Sequence, residues 1–336
     1  MPPTHGDLQA RRTQLSDMAN GYRTSATILA AIELGVFSAL SDRPKTMPEL
    51  AADLACSERG LRGLLDALVG LDLLVLDDGR YGLHGLADEF LRDGSPLYMG
   101  DILEHGVSLL KRWAHLADAV RTGKPIREAG KPKRTADELR AFILGMQNIA
   151  VKSAEQMVEF LDLGPVKRVL DVGGGPGTYL HAVLRAQPNA TGSVLDLPDV
   201  IRIAREQTEK EGLTDRVSYI EGSMFDVDYG GPWDLVILSN IIHSWDESAN
   251  AQLFARSSSS LAPGGFLLVK DFFLESNRTT PPDAALFTLN MLVGTEAGRS
   301  YSWQECEDWL TSAGLKLIRR GKVGISSGLL LAQKAK

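Results

Sequence analysis

Asp171-Val172-Gly173-Gly174-Gly175-Pro176-Gly177-Thr178 is the stretch that decides the fold. It follows the apolar run Val166 to Val172 and leads into a helical pattern from Thr178 to Ala186, so its glycines sit where a strand passes into a helix. Glycine lets backbone N–H and C=O groups approach a ligand closely, in torsions that a Cβ forbids. The dinucleotide fingerprint Gly-x-Gly-x-x-Gly/Ala, anchored on Gly173 and Gly175, meets Thr178 at its third glycine position, which weakens a nicotinamide oxidoreductase reading.

Strands and helices alternate beyond this loop. Strand patterns cover Gly192 to Asp196, Val217 to Glu221, Asp234 to Ser239, Gly265 to Asp271, Leu315 to Arg320 and Ser327 to Gln333, with a helix from Val200 to Glu211. With the first strand this makes seven, and the alternation predicts an α/β, Rossmann-like, doubly wound domain with a mainly parallel sheet. Ligands bind such sheets beyond the strand C-termini. Asp196 ends the second strand nineteen residues after Gly177, where a carboxylate accepts both ribose hydroxyls of a nucleoside. A glycine turn is often only a turn, and a strand-end Asp often only caps the next helix. Together and in register they favour a nucleoside cofactor.

Ser239-Asn240-Ile241-Ile242-His243-Ser244-Trp245-Asp246 closes the fourth strand. His243 is the one histidine placed at the C-terminal edge of the sheet. His5, His84, His105, His115 and His181 fall in a tail, a hairpin or helices and read as surface or packing residues. An imidazole suits proton abstraction from a hydroxyl or thiol as it becomes a nucleophile. Asp271, at the end of the fifth strand, is placed to hold its tautomer.

The N-terminal third has a different pattern. Ala26 to Leu40 reads as one buried helix, Thr46-Met47-Pro48-Glu49 starts a second, and Ser57 caps a third that runs to Gly70. Asp77-Asp78-Gly79 then marks a hairpin between Leu73–Leu76 and Arg80–Leu83. This is a winged-helix order, and DNA binding is its familiar use. Residues 1–97 nevertheless carry nine Lys/Arg against fourteen Asp/Glu, a poor balance for phosphate contacts. A dimerisation module is favoured. Helical patterns continue over Tyr98 to Arg121 and Asp137 to Leu161, joined by a Lys/Arg/Gly/Pro-rich link, Thr122 to Thr135, that reads as a solvated loop or a lid. The expected division is a dimerisation domain at 1–97, connecting helices that line an acceptor pocket at 98–160, and the nucleoside-binding domain at 161–336.

Composition agrees with two globular domains. The chain has 336 residues, 44% hydrophobic and 24% charged, which excludes a disordered tail or a disulfide mini-protein. Its two cysteines, Cys56 and Cys306, lack metal or redox spacing, which suits the cytoplasm. No export signal or membrane span is supported, and the net charge of −7 argues against nucleic acid as a partner.

With these residues in place the chain resembles the S-adenosylmethionine (SAM)-dependent small-molecule O-methyltransferases of the caffeate, acetylserotonin and hydroxyneurosporene type, including bacterial enzymes of secondary metabolism. The resemblance rests on Asp171 to Gly177, Asp196-Leu197-Pro198, Gly222-Ser223-Met224-Phe225, His243-Ser244-Trp245 and Ala262-Pro263-Gly264-Gly265. It implies SAM as cofactor and S-adenosylhomocysteine (SAH) as product. The implied cofactor residues are Asp171, Gly173, Gly174, Gly175, Asp196, Leu197, Ser223, Met224, Phe225 and Ser239. Of these, Asp196 takes the ribose, Met224 the adenine and the glycines the methionine portion. The resemblance also implies His243 as general base, Asp271 as its orienting acid, and a homodimer built by the N-terminal domain. Met291 falls where the family clamps the acceptor, and Trp113, Met146 and Phe287 complete a candidate apolar lining, although each also suits a helical core.

The chain departs from the family at three serines. Ser244 follows the base and Ser223 precedes the adenine-packing Met, where relatives often carry Asp. Ser300 takes the place of a second acid beside the base in the plant enzymes. The expected chemistry is in-line methyl transfer to a hydroxyl of a small aromatic or polycyclic acceptor, without a metal. An N-, S- or C-methyltransferase, or a SAM-binding protein with no such activity, uses the same scaffold.

Overall fold

The computed structural model describes residues 5–126, 135–162, 164, 166–324 and 327–336. The chain divides into two compact units, Met1–Leu110 and Lys111–Lys336. Most of the link at 122–135, including 127–134, lies outside the described residues.

The first unit opens with α1 (His5–Asn20), α2 (Tyr22–Glu33) and α3 (Val36–Ala39). The single helix expected over Ala26 to Leu40 is therefore two. Gly35 separates them at φ +73°, a left-handed residue that ends a helix where a Cβ would be strained. A short strand, β1 (Lys45–Thr46), precedes α4 (Met47–Asp53), whose N-terminus is closed reciprocally by Thr46 and Glu49. In α5 (Glu58–Gly70), capped by Ser57, Leu61, Leu65 and Leu68 fall on one face and are buried. The hairpin β2 (Leu74–Asp77) and β3 (Arg80–Leu83) turns through Asp78 and Gly79, both at positive φ, as tight hairpin turns require. β3 is the centre of a three-stranded antiparallel sheet, and Tyr81 on it donates to Asp66 Oδ1 at 2.8 Å. α6 (Gly85–Phe90) and α7 (Gly100–Trp113) follow.

The helix expected from Tyr98 to Arg121 is also broken. α7 ends at Trp113 and α8 spans Leu116–Thr122, with His115 at its N-cap position. The division between the units falls inside α7, within the segment read as connecting helices. α9 (Ala136–Leu161) starts at Thr135, whose side chain and that of Glu138 cap each other's backbone.

The second unit is built on seven strands in the order β6-β5-β4-β7-β8-β10-β9. They are β4 (Arg168–Val172), β5 (Thr191–Asp196), β6 (Val217–Glu221), β7 (Trp233–Ser239), β8 (Leu261–Asp271), β9 (Leu315–Val323) and β10 (Ser327–Lys334). β6 to β8 are parallel, and β10 runs antiparallel to both its neighbours. Between them lie α10 (Thr178–Ala186), α11 (Pro198–Lys210), α12 (Glu247–Ser260), α13 (Pro282–Gly294) and α14 (Trp303–Ser312).

Strand side chains alternate between two cores. Val169, Ile237 and Leu268 pack with Met157, Leu180 and Ile201 of α9, α10 and α11. Leu170, Val236 and Leu267 pack on the opposite face with Phe254 and Leu310 of α12 and α14. The parallel strands consequently end together along one edge. Among the described residues no helix is long and apolar enough to cross a membrane.

Candidate active site

The glycine loop at the end of β4 is shaped to receive a ligand. Gly175 has φ +56°, and a Cβ built on it would meet nothing within 4 Å, so its backbone faces open space. At Gly173, φ +65°, a Cβ would be strained by the backbone and would come within 3.0 Å of Ile241 Cδ1 and 3.2 Å of Met224 Cε, so both side-chain tips would have to give way. Asp171 lies behind the loop without solvent exposure. Its Oδ2 accepts the Leu180 N–H at 3.3 Å, while Oδ1 has no partner among the described residues. Burial pushes its pKa up to about 7.

Asp196, at the end of β5, accepts the Gly175 N–H on Oδ2 at 2.9 Å and the Leu197 N–H on Oδ1 at 2.7 Å. The carboxyl pKa is raised by burial, against the lowering effect of these two N–H groups. Each oxygen retains acceptor capacity, which suits a vicinal diol. Leu197 is exposed and stands at the N-cap position of α11. After β6, Ser223 Oγ accepts the Phe225 N–H at 3.2 Å, Met224 is buried, and Phe225 meets the Trp245 ring edge-on at 4.8 Å. Ser239, the last residue of β7, is 8% exposed and its Oγ has no partner among the described residues.

His243 sits in a 3-10 turn, Ile242–Ser244, directly beyond β7. Its Nδ1 is 2.7 Å from Asp271 Oδ1, and Asp271 is 2% exposed. Asp271 also accepts the Phe272 N–H at 2.8 Å and the His243 backbone N–H at 3.4 Å. An ionised carboxylate can only accept, so in the neutral imidazole Nδ1 carries the proton and Nε2 keeps its lone pair. The turn is fastened by residues outside any motif. Asn250 Nδ2 donates to the carbonyls of Ile242 at 2.9 Å and Trp245 at 3.3 Å, and the Tyr301 hydroxyl donates to the Trp245 carbonyl at 2.6 Å. Arg299 stacks 4.1 Å from the Tyr301 ring and pairs with Glu247 and Glu305.

Ser300 is 1% exposed and donates its hydroxyl to the Ala284 carbonyl at 2.7 Å. It ties the loop to the start of α13 instead of supplying the imidazole with a second acceptor. Phe287 meets His243 edge-on at 4.9 Å, and Phe272 packs 4.2 Å from Phe287. Phe272 escaped the sequence reading, since nothing in its neighbourhood along the chain distinguishes it. On α13, Met291 is buried and its neighbour Asn290 accepts the Trp113 indole N–H at 3.1 Å. Met146 is half-buried on α9. His181, one of the histidines set aside, is buried in α10 against Thr208 at 2.9 Å, and burial lowers its pKa to about 4.

Residues 113–316 match the family model of the O-methyltransferase domain, and residues 16–93 match that of the O-methyltransferase dimerisation domain. The chain belongs to this O-methyltransferase family. It is 35% identical to 3-hydroxy-5-methyl-1-naphthoate 3-O-methyltransferase of Streptomyces sahachiroi over 91% of this chain and 90% of that one. With acetylserotonin O-methyltransferase of Gallus gallus it shares 31% identity over 94% and 95%. The crystal structure of human N-acetylserotonin methyltransferase in complex with SAM superposes with a TM-score of 0.86 at 29% identity, covering 98% of each chain. The methyltransferase uses SAM as its cofactor. The residues present fit that molecule: the cradle at Gly173, the free acceptor capacity of Asp196 and the orphaned Asp171 Oδ1 suit a nucleoside with an amino-acid tail.

Proposed function

We propose that His243 is the general base for methyl transfer to a hydroxyl on an aromatic or polycyclic acceptor. The observation that carries this reading is the 2.7 Å contact between His243 Nδ1 and the buried Asp271 carboxylate. It fixes the tautomer that leaves Nε2 able to take a proton, and Asp271 also steadies the imidazolium that results. When bound, SAM supplies an electrophilic methyl group whose departing sulfur, a neutral thioether, needs no acid. The protein's remaining task is to hold the acceptor oxygen about 3 Å from the methyl carbon and in line with it.

Phe272 and Phe287 support a planar acceptor, because aromatic rings prefer offset or edge-on partners. Met291, Trp113 and Met146 are assigned to the same pocket. The naphthoate specificity named for the Streptomyces relative supports a fused-ring acceptor. On the cofactor side we assign Asp196 and Leu197 to the ribose, Met224 and Phe225 with Ser223 to the adenine, and Asp171, Gly173, Gly174, Gly175 and Ser239 to the methionine portion. The segment at 1–97, with its winged-helix order, is assigned to a homodimer interface, supported by the dimerisation model it matches.

Incubation with SAM carrying a 13C methyl group and a panel of hydroxynaphthoic acids tests the reading. The label is expected on oxygen, as an aryl methyl ether. Label on ring carbon alone, or only as a carboxylate methyl ester, would contradict it.

A further inference from the structure

At the end of β8 a lysine is buried in surroundings that offer it no counter-charge. Lys270 is 3% exposed and immediately precedes Asp271, so its side chain leaves the sheet on the face opposite the His243–Asp271 pair. Its Nζ donates to Asn240 Oδ1 at 3.0 Å and Ser327 Oγ at 3.4 Å. The rings of Tyr179 and Phe272 lie 5.6 Å and 5.9 Å away. All four neighbours are neutral. Among the described residues no carboxylate pairs with it. An ammonium has three protons to donate, and burying it without a counter-charge is costly. The third donor and the missing charge both point to an anion.

A second orphan lies beside it. Ser239 is the residue of β7 in register with Lys270, so the two side chains share a face, and Ser239 Oγ is buried without a partner among the described residues. Thr178, first residue of α10 and adjacent to Tyr179, likewise has a buried, unpartnered hydroxyl. The ammonium of Lys270 and the hydroxyl of Ser239 therefore stand side by side at the ends of β8 and β7, and the start of α10 reaches them through the Tyr179 ring.

The order of strands says which anion. Asp196 ends β5, the glycine loop ends β4, and Ser239 and Lys270 end β7 and β8, in that sequence across the sheet. A nucleoside held by Asp196 sends its amino-acid tail over the loop toward β7 and β8. We propose that Lys270, with the Ser239 hydroxyl, binds the α-carboxylate of the cofactor's methionine moiety. The inference rests on the assignment of Asp196 to the ribose.

Two ligands separate the possibilities: SAH, which has the carboxylate, and 5′-methylthioadenosine, which has the same nucleoside and lacks it. By calorimetry, Lys270→Gln is expected to weaken SAH at least about tenfold and leave methylthioadenosine within about twofold. Asp196→Asn is expected to weaken both. Unchanged SAH affinity in Lys270→Gln, or equal losses for both ligands, overturns the proposal. If Asp196→Asn spares both ligands while Lys270→Gln loses only SAH, the ribose assignment fails and the carboxylate site stands. Should Lys270→Gln not fold, Ser239→Ala is read with the same ligands: a loss confined to SAH supports the site, and none overturns it.

Discussion

His243 Nδ1 and Asp271 Oδ1 lie 2.7 Å apart, and the same carboxylate accepts two backbone N–H groups. Asparagine at 271 would turn an NH2 toward one of these donors or toward the ring, favouring the imidazole tautomer with its proton on Nε2. Asp271→Asn is therefore expected to lower kcat roughly 100- to 10,000-fold with little change in SAH affinity. Steady-state kinetics with calorimetric SAH binding checks this, and a loss confined to SAH binding would argue against an orienting role.

The aromatic wall beside the base yields a prediction about the acceptor. Phe287 contacts both His243 and Phe272, so Phe287→Ala removes ring contact and opens the pocket. KM for a fused-ring acceptor is expected to rise about tenfold. Binding of SAH should be unaffected, and an unchanged KM would place the acceptor elsewhere.

His181 predicts a pH dependence of stability. Its pKa falls from the usual 6.5 to about 4 because burial disfavours the charged ring. The folded state then excludes a proton that the unfolded chain takes up. Stability from this group is complete above pH 6.5 and is lost as pH falls toward 4, on the order of 3 kcal/mol. His181→Gln retains a donor toward Thr208 and does not titrate, so its melting temperature should fall less than the wild type's over that interval. Parallel melting curves from pH 7 to 4 measure the difference, and coincident slopes would contradict it.

What could be read along the chain and what could not follows from where each signal resides. The glycine loop, Asp196 and His243 stand at strand ends, and strand alternation alone brings strand ends to one edge. Their neighbourhood is thus encoded locally. Asn250 and Tyr301, which fasten the His243 turn, come from α12 and the residues before α14. Their roles depend on contacts across the fold. α12 also hid from periodicity because it buries Asn250, Ser257 and Ser258 beside Leu253 and Phe254, blurring its apolar stripe. α13 hid for the opposite reason, being apolar nearly all round. The breaks at Gly35 and His115 interrupt patterns that keep helical spacing on both sides, so spacing alone could not reveal them.

The most direct test of the account is the single-turnover rate of His243→Gln, measured with saturating SAM and an acceptor hydroxyl that the wild type methylates. The rate is expected to fall roughly 100- to 10,000-fold while the SAH dissociation constant stays unchanged. A wild-type rate in His243→Gln would contradict the assignment of His243 as the base.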